Sequence, residues 1–434
     1  MMMFKQPSWS LSFTDLGIRT RGQIIAVACP LFLILAINSR TSAQDWPQIL
    51  GPHRDGTAPS TSVLKGPWPA KIAPTWTAAL GTGLGGPAVA GDSVLILHRL
   101  ENEEFLQSFD LNTGAARWKT GWPASYRASI NPDNGPRCVP TIAGDRVICY
   151  GAAGDLACVG LVDGKLHWRR SLRQEYDAED GYFGAGVSPL VMGSLVIACP
   201  GGDRAGIVGI DLQTGKTRWT ATEYEASYAA PIAVPHASRQ LALVITRLNT
   251  VLLDAQSGEV LSDVRFGSRG PTVNAATPSP IGDDQFFLTA SYGVGAMLLQ
   301  VRDEQLVEIY RDKFLLSSQY NTPVHIGSRM IGIDGREDAG IANLRAFDPQ
   351  SQEIFWRQDD FGTAHLIACG SEALALGLSG RLTRIDGQSD AFHPLSESQL
   401  PTAEYRALPA LSGNKLLIRG SLGNATQLHC IELP

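Results

Sequence analysis

The sequence predicts an all-β chain: an eight-bladed β-propeller of four-stranded antiparallel blades, its ring closed by an N-terminal strand. Three observations predict it. The first is a recurring turn. Asp211-Leu-Gln-Thr-Gly-Lys-Thr-Arg-Trp219 reads as a strand ending in Asp, a tight turn closed by Gly215, and a strand carrying Trp. It returns as Asp110-Leu-Asn-Thr-Gly114 with Trp118 and as Val162-Asp-Gly164 with Trp168. Weaker copies are Asp254-Ala-Gln-Ser-Gly258, Asp348-Pro-Gln-Ser351 with Trp356, and Asp386-Gly-Gln-Ser389. A return every roughly 40–50 residues is the period of a propeller blade. The second is a Gly-Asp or Gly-Ser pair between short apolar runs, as at Gly91-Asp92, Gly144-Asp145, Gly193-Ser194 and Gly282-Asp283. The third is that no stretch sustains a 3.6-residue apolar period, so helices are expected to be few and short.

Taken in order, residues 1–43 read as a secretory signal peptide. Arg19 and Arg21 precede an apolar run from Ile24 to Ile37, and Thr41-Ser-Ala43 offers small residues before a cut. The run is short for a membrane span, which needs about 20 residues; an uncleaved anchor is the competing reading. Residues 44–73 form a Pro-rich arm that Trp46 and Trp68 mark as docked. Its prolines preclude a long helix or a central strand. Residues 74–434 hold the propeller. Repeats start near Gly86, Arg137, Val187, Ala230, Thr277, Thr322, Thr363 and Ala407, each with strands A to D. The last repeat has room for only three strands. The orphan strand Pro74-Thr-Trp-Thr-Ala78 supplies the fourth, pairing near Leu428–Leu433 and removing exposed sheet edges.

The chain has 434 residues, 44% hydrophobic and 18% charged, enough for a sizeable core. Its formal net charge is -6. Residues 1–43 hold four basic residues and one acidic, so a processed chain would stand near -9. That balance argues against nonspecific nucleic-acid binding. Six cysteines follow the signal, none in a CxxC pair, so no zinc site is signalled. Cys149 and Cys158 flank a hairpin and could face each other across it; buried free thiols are the alternative. No nucleophile elbow, HExxH, P-loop or EF-hand string is present. His98, His325 and His365 show no metal-ligand spacing, and no catalytic residue is assigned.

The pattern resembles the pyrroloquinoline-quinone-like (PQQ-like) β-propeller repeat proteins, which include quinoprotein alcohol dehydrogenases and the outer-membrane assembly lipoprotein BamB. The segments that carry it are Trp46-Pro-Gln-Ile-Leu-Gly-Pro-His-Arg-Asp-Gly56, Gly135-Pro-Arg-Cys-Val-Pro-Thr141, Val273-Asn-Ala-Ala-Thr-Pro278, Tyr320-Asn-Thr-Pro-Val324 and Ile333-Asp-Gly-Arg336. They are most similar to an exported, planctomycete-type branch. The resemblance covers nearly all of residues 45–434 and implies the fold more strongly than an activity. It implies PQQ and calcium for the family's dehydrogenases. This chain lacks the adjacent cysteines of those enzymes and any recognisable calcium-ligand motif.

Topology places the candidate site. In a four-stranded antiparallel blade the A–B and C–D turns share one face, and the D–A and B–C connections share the other. Variable loops held on a rigid scaffold are where binding concentrates. Arg137, Arg336, Tyr182, Tyr228, Asn274, Tyr320, Asn321 and His365 fall on that second face. Arg137 and Arg336 are expected to line the central funnel and favour an anion, since guanidinium groups grip carboxylates bidentately. The competing reading is that the tyrosines pack between blades and the arginines pair with local acids. The expected function is an exported binding or assembly platform without chemistry of its own. It would be periplasmic or secreted, with a protein, anionic small-molecule or glycan ligand. The alternatives are a PQQ-dependent alcohol-type dehydrogenase and a polysaccharide-associated binding module.

Overall fold

Residues 45–59, 64–130, 133–270 and 272–434 are described by a computed structural model; the expected signal peptide lies outside them. Eight four-stranded antiparallel sheets form the blades of a propeller. Blade 1 runs Ala88–Ala90, Ser93–Leu100, Glu103–Asp110 and Ala116–Pro123, as strands A to D. The inner strands of blades 2 to 8 are Thr141–Ala143, Leu190–Met192, Ile232–Val234, Ser279–Ile281, Val324–Ile326, Ala364–Cys369 and Ala410–Ser412. The one helix among the described residues is Leu172–Tyr176. Blade 8 takes its outer strand from the other end of the chain. Trp76–Leu80 pairs antiparallel with Ala425–Glu432, Trp76 opposite Cys430 and Leu80 opposite Thr426.

The recurring turn folds as its residues dictate. Asp211 Oδ1 accepts the amides of Gln213 at 3.1 Å and Thr214 at 2.8 Å, and Gly215 takes a φ of +70°. Arg218 and Thr214 hold the Asp211 carboxyl down to about 2. The glycine serves a second purpose, because the tryptophan of the preceding blade lies flat on it. A Cβ on Gly215 would stand 2.7 Å from Trp168 Cδ2, and one on Gly258 2.5 Å from Trp219 Cδ2. Each indole also donates to a carbonyl at the start of the next blade's turn. Trp76 reaches Leu111 O at 2.9 Å, Trp118 Leu161 O at 3.1 Å, Trp168 Leu212 O at 2.9 Å, and Trp219 Ala255 O at 2.8 Å. Tyr310 makes the equivalent bond to Pro349 O at 2.7 Å. Across the sheet, the residues opposite Trp118, Trp168, Trp219 and Trp356 are Ser108, Cys158, Gly209 and Ala346. Where Ser262 and Ser396 replace the aromatic, Leu252 and Arg384 stand opposite. In these blades large faces small and interior volume stays filled; in blade 5 Tyr310 instead stands opposite Leu298.

Cys149 and Cys158 do not face each other. Ile148 is the residue opposite Cys158, and Cys149 is opposite Ala157. Alternation along a strand therefore turns the two thiols to opposite faces of the sheet. All six cysteines of the described residues are buried and free.

The arm is docked along the propeller axis. Trp46 bridges to Val89 of blade 1, and Pro47 O accepts Ile142 N of blade 2 at 2.8 Å. The chain then loops back on itself, with Gly56 N donating to Leu50 O at 2.9 Å. It leaves along blade 7, where Ala58 N donates to Ala368 O at 2.8 Å. At the tip of this loop Arg54 is 2% exposed, with a φ of +59°. Its guanidinium donates to Pro231 O at 2.8 Å, Ser188 O at 3.3 Å, Thr141 Oγ1 at 3.2 Å and Pro189 O, and its Nε to Gln48 Oε1 at 2.7 Å. Arg54 thus ties blades 2, 3 and 4 together from the inside. Burial lowers its pKa to about 9.

Candidate functional site

Each blade ends its B strand and begins its A strand on the same side of the ring, so that side collects the irregular connections. All eight residues singled out from the sequence lie there, in separate groups.

Tyr182 and Tyr228 border a cavity of about 710 Å³ between blades 2, 3 and 4. The Tyr228 hydroxyl is pinned: it accepts Phe183 N at 2.8 Å and donates to Gly184 O at 3.0 Å. Burial raises its pKa to about 12. Arg137 flanks this cavity, its guanidinium 5.7 Å from the Tyr126 ring. It donates to Asp133 O at 2.9 Å and to Gly135 O, carbonyls of its own loop.

Tyr320, Asn321 and His365 meet at blades 6 to 8, where they join Glu337 and Arg406. Tyr320 Oη donates to Glu337 Oε2 at 2.7 Å, and Arg406 pairs with Glu337 Oε1. His365 Nε2 donates to Arg406 O at 2.8 Å, and Asn321 Nδ2 lies 3.4 Å from its other nitrogen. Burial lowers the His365 pKa, which suits the neutral ring this bonding requires.

Arg336 and Asn274 stand apart. Arg336 lies 4.2 Å from the Tyr292 ring and pairs with Asp338 in its own hairpin, Nε to Oδ1 at 3.0 Å. The Asn274 amide is 3% exposed and donates to Thr246 O, Arg247 O and Phe266 O at 3.0–3.1 Å. It clamps backbone, because a buried amide must satisfy its donors. Both guanidinium groups expected to receive an anion are already bound within the chain. The sequence reading also passed over Tyr150, Glu337 and Arg54. Tyr150 ends a B strand, as Arg336 does, and that position was a usable signal. Glu337 and Arg54 carry no such signal, because their partners lie on other blades.

Calcium takes about six to eight oxygen ligands. Among the described residues no three His, Cys, Asp or Glu side chains group as a metal site. Arg54, Arg137 and Arg336 are each engaged by groups of the chain itself.

Comparison with known proteins agrees with the fold. The family described as outer membrane protein assembly factor BamB matches residues 101–358. No curated protein matches the chain significantly. Among solved structures, BamB from Moraxella catarrhalis is 14% identical with a TM-score of 0.58, covering 82% of this chain and 99% of that one. A europium-containing methanol dehydrogenase is 10% identical with a TM-score of 0.63, covering 89% and 91%. The quinohemoprotein alcohol dehydrogenase ADHIIG from Pseudomonas putida HK5 is 12% identical with a TM-score of 0.56, covering 91% and 81%. At such identities these likenesses speak to fold alone. The family match spans more than half of the sequence, and the chain belongs to the PQQ-like β-propeller family of BamB.

Proposed function

We propose that the chain is an exported, non-catalytic binding or assembly platform that receives a protein partner on its D–A/B–C face. The observation that carries this reading is the division of labour between the two faces. One face is built from short, self-satisfied Asp and Gly turns. The other carries the cavity and the longer loops, whose apolar tips include Phe314 at 85%, Leu422 at 61% and Ile341 at 58% exposure; exposed apolar residues also stand on the first face, Val162 at 85% among them. Loops held on a rigid scaffold are where binding concentrates. The signal-like segment supports a periplasmic or secreted location. No helix among the described residues is long and apolar enough to cross a membrane. A quinone-dependent dehydrogenase is the weaker reading, because the sequence lacks the adjacent cysteines of the family's dehydrogenases.

Photo-crosslinking in the native host tests the proposal. A photoreactive residue at Phe314 or Leu422 should give a discrete partner adduct. The same probe at Val162 or Ile354, apolar and exposed on the opposite face at 85% and 45%, should give none. Equal labelling from both faces, or none from either, would remove the proposal.

A further inference from the structure

The cavity between blades 2, 3 and 4 is built for a particular charge. At about 710 Å³ it falls within the roughly 300–1,000 Å³ range of small-molecule sites. Tyr150 and Cys199 border it although they are only 1% and 5% exposed. The Tyr150 hydroxyl makes no hydrogen bond to any described residue. Buried hydroxyls ordinarily find a partner, and the cavity is where a partner could stand. Tyr182 and Tyr228 form the walls, and the bonds to the Tyr228 hydroxyl hold its ring rigid. Ring faces of this kind attract cations, and the Arg247 guanidinium already lies 5.9 Å from the centre of the Tyr182 ring.

The mouth is acidic. Asp177, Glu179, Asp180, Asp203 and Glu225 border it against Arg173 and Arg247. Both of those arginines are taken: Arg173 pairs with Asp180 at 2.7 Å, and Arg247 pairs with Glu225. Asp177 holds Arg204 at 3.2 Å. Glu179 and Asp203 make no ion pair among the described residues, and both are exposed. An anion would add to an existing surplus of negative charge. A neutral polyol could donate hydroxyl hydrogens to both carboxylates but would leave their charge unneutralised. Arg137, which flanks the cavity, is held by Asp133 O and Gly135 O, and the Arg54 guanidinium is buried among its own acceptors.

We propose that this cavity binds an organic diamine or polyamine. One ammonium group lies between Glu179 and Asp203 at the mouth. The other donates to the Tyr150 hydroxyl at the floor, and the aliphatic body runs along the Tyr182 and Tyr228 rings. The inference concerns the cavity and not the apolar tips, so it stands or falls separately from partner docking.

Calorimetric titration of the full chain tests it, with putrescine and spermidine as probes. Succinate serves as a dianion of similar length and 1,4-butanediol as a neutral one. The expected result is saturable one-to-one binding of a diamine or polyamine, weakened by salt, with no binding of succinate or the diol. Tyr150→Phe, and the pair Glu179→Gln with Asp203→Asn, should each lower affinity about tenfold or more, the effect of losing a hydrogen bond to a charged group. Asp145→Asn, on the opposite face, should leave affinity unchanged, and melting curves would verify that all variants are folded. Equal binding of succinate or the diol overturns the proposal. So does amine binding that survives both sets of substitutions, or that falls equally with Asp145→Asn.

Discussion

Replacing Arg54 with alanine tests whether the arm is a structural keystone. The side chain donates to five acceptors, and two of them keep each other when it is gone. Thr141 Oγ1 already donates to Pro189 O at 2.7 Å. Ser188 O and Pro231 O are left facing a small emptied space at the junction of three blades. A buried acceptor stripped of its donor costs about 1–3 kcal/mol. The substitution should therefore destabilise the chain by about 2–6 kcal/mol, or roughly 2–8 °C in melting temperature for a domain of this size. The space left behind has the shape and the acceptors of a guanidinium site. Guanidinium ion at about 10 mM, far below denaturing levels, should raise the melting temperature of Arg54→Ala and leave wild type unmoved. If it binds with Kd near 1 mM, linkage gives back about 1.4 kcal/mol. Ammonium at the same concentration should do less, because it lacks the planar fork of donors. Differential scanning fluorimetry reads both effects. An Arg54→Ala chain as stable as wild type, or one that responds to guanidinium and ammonium alike, would refute the reasoning.

Three other predictions follow from the packing. Trp219→Ala should cost about 3–5 kcal/mol in a denaturant titration, and Trp219→Phe should recover all but about 1 kcal/mol, the share of the bond to Ala255 O; no gain from Phe over Ala would contradict the packing account. Glu104 is buried, and burial raises its pKa to about 7. A carboxyl raised in the folded state holds its proton more tightly there, so its favourable contribution is present at acid pH and fades as pH climbs from about 4.5 to about 7. Glu104→Gln should flatten that decline and gain about 3 kcal/mol above pH 7; stability curves that run parallel from pH 5 to 8.5 would contradict it. Removing residues 45–80 strips blade 8 of its outer strand and empties the axis, leaving an unpaired edge on Ala425–Glu432. The product should aggregate, and a monomer of unchanged melting temperature in size-exclusion chromatography would count against ring closure.

The sequence by itself determined the ring. Asp, Gly and Trp return at one spacing because each blade solves the same local problem: the Asp closes the turn, the Gly admits a left-handed backbone, and the Trp covers the next blade's Gly. Closure was legible too, since a Trp strand without a blade at one end matches a blade without its last strand at the other. Only the tertiary structure decided where the charges go. In sequence Arg137 and Arg336 admit both an anion site and pairing with local acids; in the fold one is held by backbone carbonyls, which carry no residue signature, and the other by Asp338, which sequence could not orient. Arg54 sits in the Pro-rich arm, which the sequence marks as docked without showing against what; five acceptors near the axis, four of them on blades 2 to 4, make it a buried plug. The cavity has no sequence of its own. Tyr150, Tyr182, Asp203 and Tyr228 come from connections on different blades, and their shared surface exists only because the ring sets those loops side by side.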